Sequence, residues 1–74
     1  MKIVLWTKHA ANEASKFKLN SIYCENIIRD PDEVIEEGRE KRRYIRYKKN
    51  KMIMAICEED SHTITIKTID VTTR

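Results

Sequence analysis

The stretch DEVIEEGREKRRYIRY, residues 32–47, decides the fold of this chain because its pattern predicts a β-hairpin. Val34 and Ile35 lie in the first predicted strand, and Gly38 supplies the positive φ that a tight turn needs. The second strand is predicted over residues 41–48. The hairpin therefore forms the start of an antiparallel sheet.

Two more strands are predicted after this hairpin. KMIMAICE, residues 51–58, is apolar on both faces, which is typical of a central strand. TITIKTIDV, residues 63–71, alternates on one face up to Ile66 and on the other face from Ile69 onward. A β-bulge near Lys67 and Thr68 would account for this change of phase. Residues 32–71 are therefore expected to form a four-stranded meander.

The residues before the hairpin predict a short strand and two short helices. KIVLWT, residues 2–7, is apolar and β-branched, whereas residues 8–18 and 21–29 follow a helical pattern. Thr7 is the expected N-cap of the first helix, and Asn20 or Ser21 that of the second. Pro31 stops the second helix. The prediction is one α+β domain over residues 1–74, with two N-terminal helices packed on a four-stranded antiparallel sheet. Its order is βααββββ, or ααββββ if residues 2–7 do not pair.

Length and composition limit what the chain can do. With 74 residues it has no room for a deep cofactor cavity, so its function is expected on a surface, a shallow groove or a homodimer interface. No cofactor is expected, and no metal, because Cys24, Cys57, His9 and His62 lack the close spacing of a zinc site. We expect no membrane segment, a cytoplasmic location and reduced thiols. The many isoleucines and charges are typical of a thermophile or of an AT-rich genome. In a thermophile, a Cys24–Cys57 disulfide would be the alternative to reduced thiols.

The charges are arranged in two opposed blocks. Residues 30–40 hold six acids and one arginine, and residues 41–51 hold seven bases and no acid, although the net charge is only +3. Side chains alternate along a strand, and Ile45 and Tyr47 are the better core candidates of the basic block. The opposite side would then be an open face with three cations around one tyrosine, formed by Arg42, Tyr44, Arg46 and Lys48.

Such a face predicts RNA binding, because arginine binds phosphate in a bidentate manner and an aromatic ring can stack on a base. The predicted nucleic-acid-binding residues are Arg42, Tyr44, Lys48, Lys49 and Lys51. An alternative interpretation remains open. The basic strand would be an ordinary solvated strand whose cations pair with the glutamates of the preceding strand, residues 33–37.

The chain also resembles a known group of proteins. TKHA at the start of the first helix, then PDEVIEEGREKRRYIRY, then two apolar strands with a Thr-rich end, resemble the small prokaryotic domain-of-unknown-function family 4258. That family is related to the RelE/ParE toxin superfamily and is similar to BrnT-type toxins. The resemblance implies a RelE-like fold, metal-independent cleavage of RNA and control by an antitoxin-like partner. It implies catalytic roles for His9, Arg43 and Arg46. Beside them, Tyr44 or Tyr47 would stack on a base or donate a proton, and Tyr47 is counted among the candidate catalytic residues.

The first helix departs from the family pattern. Glu13 and Phe17 stand where the family usually has arginines, and Lys18 replaces its glycine. A non-catalytic interaction module is therefore the second hypothesis. Such a module would bind a protein partner through its sheet edge, as toxin-like folds bind antitoxin segments by strand addition.

Overall fold

The computed structural model describes residues 2–73 and shows an α+β fold in which two helices cover one face of a five-stranded mixed sheet. The elements follow one another in the order β-α-α-β-β-β-β. Their bounds are β1 Ile3–Trp6, α1 Lys8–Lys16, α2 Ser21–Arg29, β2 Glu33–Glu36, β3 Lys41–Lys48, β4 Lys51–Glu59 and β5 Thr63–Thr73.

The sheet has the strand order β1-β5-β4-β3-β2. Strands β2 to β5 form the predicted antiparallel meander. The prediction of a purely antiparallel four-stranded sheet is incomplete, because β1 pairs in parallel with β5 and adds a fifth strand at that edge. Parallel pairing requires a long connection between the two strands. The whole of residues 7–62 supplies it.

Local sequence sets the starts of both helices as predicted. The Thr7 hydroxyl accepts a hydrogen bond from the backbone N–H of Ala10, and the Asn20 side chain accepts one from Tyr23. These N-caps satisfy N–H groups that the helix itself leaves unpaired. α1 ends two residues earlier than the predicted residue 18, because Lys18 leaves the helical region with a φ of 60°.

The predicted β-bulge is present in β5. Ile56 pairs with Thr68 and Cys57 pairs with Ile66, so Lys67 is the extra residue. The bulge turns both Ile66 and Ile69 toward the helices, where they are 0% and 1% exposed. Because of this extra residue, the apolar side chains before and after the bulge all lie on the same buried face of the sheet.

The main core lies between the helices and the sheet. Ala10 and Ala14 of α1 and Ile27 of α2 pack with residues of β4 and β5. Small residues on α1 allow that helix to approach β5 closely. Both cysteines belong to this core; they are free thiols and fully buried.

The predicted orientation of β3 is wrong. Tyr44 faces the helices, belongs to the main core and is only 7% exposed. Ile45 lies on the opposite, helix-free face, where it pairs with Met54 and is 2% exposed. Tyr47 is on the helix-free face too, but it is 37% exposed and not a core residue. Alternation alone could not choose the face, because β3 has a bulky apolar group on each side.

Candidate functional site

The arginines of β3 are held by neighbouring acids or carbonyl groups. Arg42 lies 3.2 Å from the Glu36 carboxylate and 3.0 Å from that of Glu59. Arg43 donates to Glu37 across the hairpin. The pairs with Glu36 and Glu37 are cross-hairpin pairs of the alternative interpretation, whereas Glu59 belongs to β4. Together the three carboxylates neutralise much of the charge of both guanidinium groups.

Arg46 is held differently, by the C-terminal end of α2. Its guanidinium donates to the backbone carbonyl of Asp30 at 2.6 Å and to that of Asn26 at 3.3 Å. A helix C-terminus carries partial negative charge, so this placement is favourable. The Arg46 side chain is only 23% exposed. Its charge therefore stabilises the packing of α2 on β3 and is not presented on an open face.

The tyrosines of β3 are engaged as well. The Tyr44 hydroxyl donates to the buried carboxylate of Glu59, which also pairs with Arg42 and Lys2. The Tyr47 hydroxyl donates to Glu33 at 2.6 Å. A buried carboxylate needs such partners, because an unpaired one would lose its hydration without compensation. Tyr44 is therefore unable to stack on a base.

The structure does not bring the predicted catalytic residues together. His9 lies in the first turn of α1, which packs over β5, and its imidazole is 3.8 Å from Glu13. Arg43 and Tyr47 lie on the helix-free face, whereas Arg46 lies on the face that carries α2. A general base and the cations that hold a phosphate must converge on one reacting group. These four residues occupy both faces of the sheet and do not converge.

A different cluster of cations does converge. The end of α1, the start of α2 and the turn between β3 and β4 enclose a cleft of about 460 Å³. We call it the lysine cleft. Its lining residues are Phe17, Lys18, Leu19, Asn20, Tyr23, Lys48, Lys49, Asn50, Lys51, Ile53 and Val71.

The lysine cleft is electropositive. Four of its lining residues are lysines and, within residues 2–73, none is acidic. Over the same residues, no carboxylate lies within 4.0 Å of Lys18, Lys48, Lys49 or Lys51. The N-terminus of the nine-residue helix α2 adds partial positive charge beside them. This site has the charge and the donors that an anion requires.

Two of the cleft lysines occupy backbone positions that disfavour a side chain. Lys18 has a φ of 60° and Lys49 a φ of 56°. Lys18 follows the C-cap of α1, where the N–H of Leu19 bonds to the carbonyl of Ala14 and that of Lys18 to Ser15. Glycine is the usual residue at such a position. Strained positions often cluster at functional sites, and these two are the only non-glycine residues of 2–73 with positive φ.

Tyr23 forms one wall of the cleft. The Lys48 ammonium lies 5.3 Å from its ring centroid and the Arg46 guanidinium 5.9 Å, which are cation–π distances. Its hydroxyl is buried and has no hydrogen-bond partner among residues 2–73. Buried hydroxyl groups are nearly always paired, so this one has unused donor and acceptor capacity.

The predicted binding residues thus divide into two groups. The structure brings Lys48, Lys49 and Lys51 together in the cleft, whereas Arg42 and Tyr44 lie in the network around Glu59. The sequence-based prediction missed Lys18 and Tyr23. The one available signal was Lys18 in the place where the family that the sequence resembles has glycine.

The described part of the chain shows no sign of a metal site, an activated cysteine or a membrane-spanning helix. Residues 2–73 contain no group of three or more His, Cys, Asp or Glu placed to hold a metal ion. Burial raises the pKa of the Cys57 thiol to about 12, so it is not an activated nucleophile. No helix within these residues has the length and apolar character needed to cross a bilayer.

Comparison with known proteins adds no relative to this picture. No protein-family model matches the chain, and neither the curated proteins nor the solved structures provide a significant match.

Proposed function

We propose that this protein binds nucleic acid, with RNA as the expected ligand, through the phosphate groups that its lysine cleft receives. The observation that carries the proposal is the convergence of four lysines from two distant parts of the chain on one cleft. Within residues 2–73 no acid lines this cleft, and no carboxylate lies within 4.0 Å of the four lysines. Lysine is a flexible point charge that binds phosphate without demanding one geometry. Such contacts give affinity without reading sequence.

The RelE-like relationship is part of this proposal. The order of a strand, two helices and a four-stranded meander is the one that the resemblance implies. Cleavage of RNA has weaker support than binding, because the predicted base His9 lies at the far end of α1 from the cleft. The rise of a helix puts about 12 Å along the axis between His9 and Phe17.

Binding of a fluorescent RNA by anisotropy tests the proposal. The variant Lys48→Gln with Lys51→Gln removes two cleft charges, and Lys8→Gln with Lys41→Gln removes two exposed charges outside the cleft. Both variants change the net charge equally. We expect the first to weaken binding about tenfold or more at low salt and the second to change it by less than about threefold. Equal losses would mean that only net charge matters, and the proposal would be wrong.

A second candidate function is protein binding through a sheet edge. The edge strand β1 carries Ile3 and Leu5 on the helix-free face, and they are 64% and 47% exposed. Large exposed apolar side chains beside an unpaired strand edge favour strand addition by an antitoxin-like segment or by a second copy of the chain. Leu5→Lys would abolish concentration-dependent association in sedimentation experiments while leaving RNA binding intact. Association unchanged by Leu5→Lys would exclude this edge.

A further inference from the structure

The lysine cleft has an apolar floor beneath its charged rim. Phe17 and Leu19 contribute to it from the end of α1, and Ile53 and Val71 from β4 and β5. All four belong to the main core or pack against it. A site that binds only phosphate needs cations and N–H groups, not apolar surface. The floor therefore fits a ligand with an uncharged, flat or apolar part in addition to its anionic group.

The walls of the cleft add polar side chains beside this apolar floor. The amides of Asn20 and Asn50 line the cleft, whereas the Tyr23 hydroxyl is buried and out of reach of a ligand. The Asn20 side chain is partly used, because its oxygen caps α2. Polar groups next to apolar surface are what recognise the edge and the face of a nucleobase.

The size of the cleft matches that of about one nucleotide. Its volume, about 460 Å³, lies in the lower half of the range for small-molecule sites. In a duplex the faces of the bases are stacked inside the helix and cannot reach a floor of this kind. The ligand part must therefore come from an unstacked nucleotide.

We propose that the lysine cleft seats one unstacked nucleoside phosphate. Its phosphate groups lie among the lysines at the N-terminus of α2, and its base lies on the apolar floor beside Tyr23. This inference rests on the proposed function and specifies the ligand of the same site. The nucleotide has two sources, a free nucleoside polyphosphate or an unpaired nucleotide within a strand.

Calorimetry with ATP and with inorganic tripolyphosphate, both without divalent metal, tests the inference. Tripolyphosphate carries the charge but no base. We expect ATP to bind about tenfold or more tightly than tripolyphosphate, because contact with a base adds affinity. Asn50→Ala removes an exposed amide of the cleft, and it is expected to weaken ATP binding roughly three- to tenfold and to leave tripolyphosphate binding unchanged. The control Asn12→Ala, which removes an exposed amide outside the cleft, is expected to change neither.

Equal affinity for ATP and tripolyphosphate, together with no effect of Asn50→Ala, would overturn the inference. The proposed function would survive that result if RNA binding still depended on Lys48 and Lys51. If neither ATP, tripolyphosphate nor RNA bound to the protein, both the inference and the proposed function would be wrong. Oligonucleotides distinguish the two sources of the nucleotide. If a single strand binds more tightly than its duplex and than ATP, the nucleotide comes from a strand. If ATP binds more tightly than the single strand, the ligand is a free nucleotide.

Discussion

Replacing a cleft lysine by glycine is expected to stabilise the fold and to weaken binding at the same time. Lys18 and Lys49 lie at φ values of 60° and 56°, where an ordinary side chain costs about 1–2 kcal/mol. Glycine removes that cost but gives the unfolded chain more freedom, worth about 0.5–1 kcal/mol. Lys18→Gly and Lys49→Gly should therefore each raise the free energy of unfolding by about 0.5–1 kcal/mol. For a domain of this size, 1 kcal/mol corresponds to a Tm rise of about 4–8 °C.

Urea denaturation measures this free energy, and anisotropy with a labelled RNA measures the affinity of the same samples. The matched control is Lys16→Gly, which lies in the last turn of α1, outside the cleft and with helical geometry. That change should lower stability by about 1 kcal/mol and leave binding nearly unchanged. The reasoning is that Lys18 and Lys49 destabilise the fold through their positive φ. It would be refuted if Lys18→Gly and Lys49→Gly lowered the free energy of unfolding as much as Lys16→Gly does.

Three further predictions concern groups outside the cleft. Tyr44→Phe removes a donor from the buried Glu59 carboxylate, so it should lower the free energy of unfolding by about 1–3 kcal/mol in urea titrations; a change below about 0.5 kcal/mol would contradict the role of this network. Because burial raises the pKa of Cys57 to about 12 from an ordinary 9.0, its thiol stabilises the fold below pH 9, and this stabilisation is lost as the pH rises toward 12. Between pH 9 and 10.5 the stability of the wild type should fall more steeply than that of Cys57→Ala, by at most about 1.4 kcal/mol per pH unit, and parallel curves would be inconsistent with the raised pKa. His9→Ala should leave RNA affinity within about twofold, since the imidazole lies outside the cleft, and a large loss would place His9 in the binding site.

Local signals in the sequence predict the elements of this fold well. Thr7, Asn20 and Pro31 mark helix ends through interactions with their immediate neighbours, so their effects need no knowledge of the rest of the chain. The phase change around Lys67 likewise predicts the bulge from adjacent residues alone. The parallel pairing of β1 with β5 joins residues about sixty positions apart, and no local pattern contains it.

The orientation of β3 is a feature that sequence patterns could not predict. Tyr44 and Ile45 are both apolar enough for a core, and the sheet buries both of them on opposite faces. Tyr44 is placed against the helices together with Glu59, a partner fifteen residues away that hydropathy would assign to the surface. The pairing of Arg46 with the end of α2 depends on the same orientation. Charge counting therefore found the basic block but not which of its cations remain free.

The candidate site is predictable only in part for a related reason. Lys48, Lys49 and Lys51 lie within four consecutive residues, and their charge is visible as a run. Lys18 and Tyr23 join them only because the turn between the helices lies beside the β3–β4 turn. The cleft is thus a product of tertiary packing, although each of its lysines is an ordinary surface residue in the sequence.

The salt dependence of RNA affinity tests the central claim, that the cleft lysines hold phosphates, most directly. Four phosphate contacts to a single strand predict a slope of about −3 in a plot of log K against log salt concentration. The measurement compares two variants of equal net charge, each with four lysines changed to glutamine. The cleft variant changes Lys18, Lys48, Lys49 and Lys51, and the control variant changes Lys8, Lys16, Lys41 and Lys67. We predict that the slope approaches zero in the cleft variant and stays near −3 in the control. A slope that falls equally in both variants, or that is flat in the wild type, would contradict the claim.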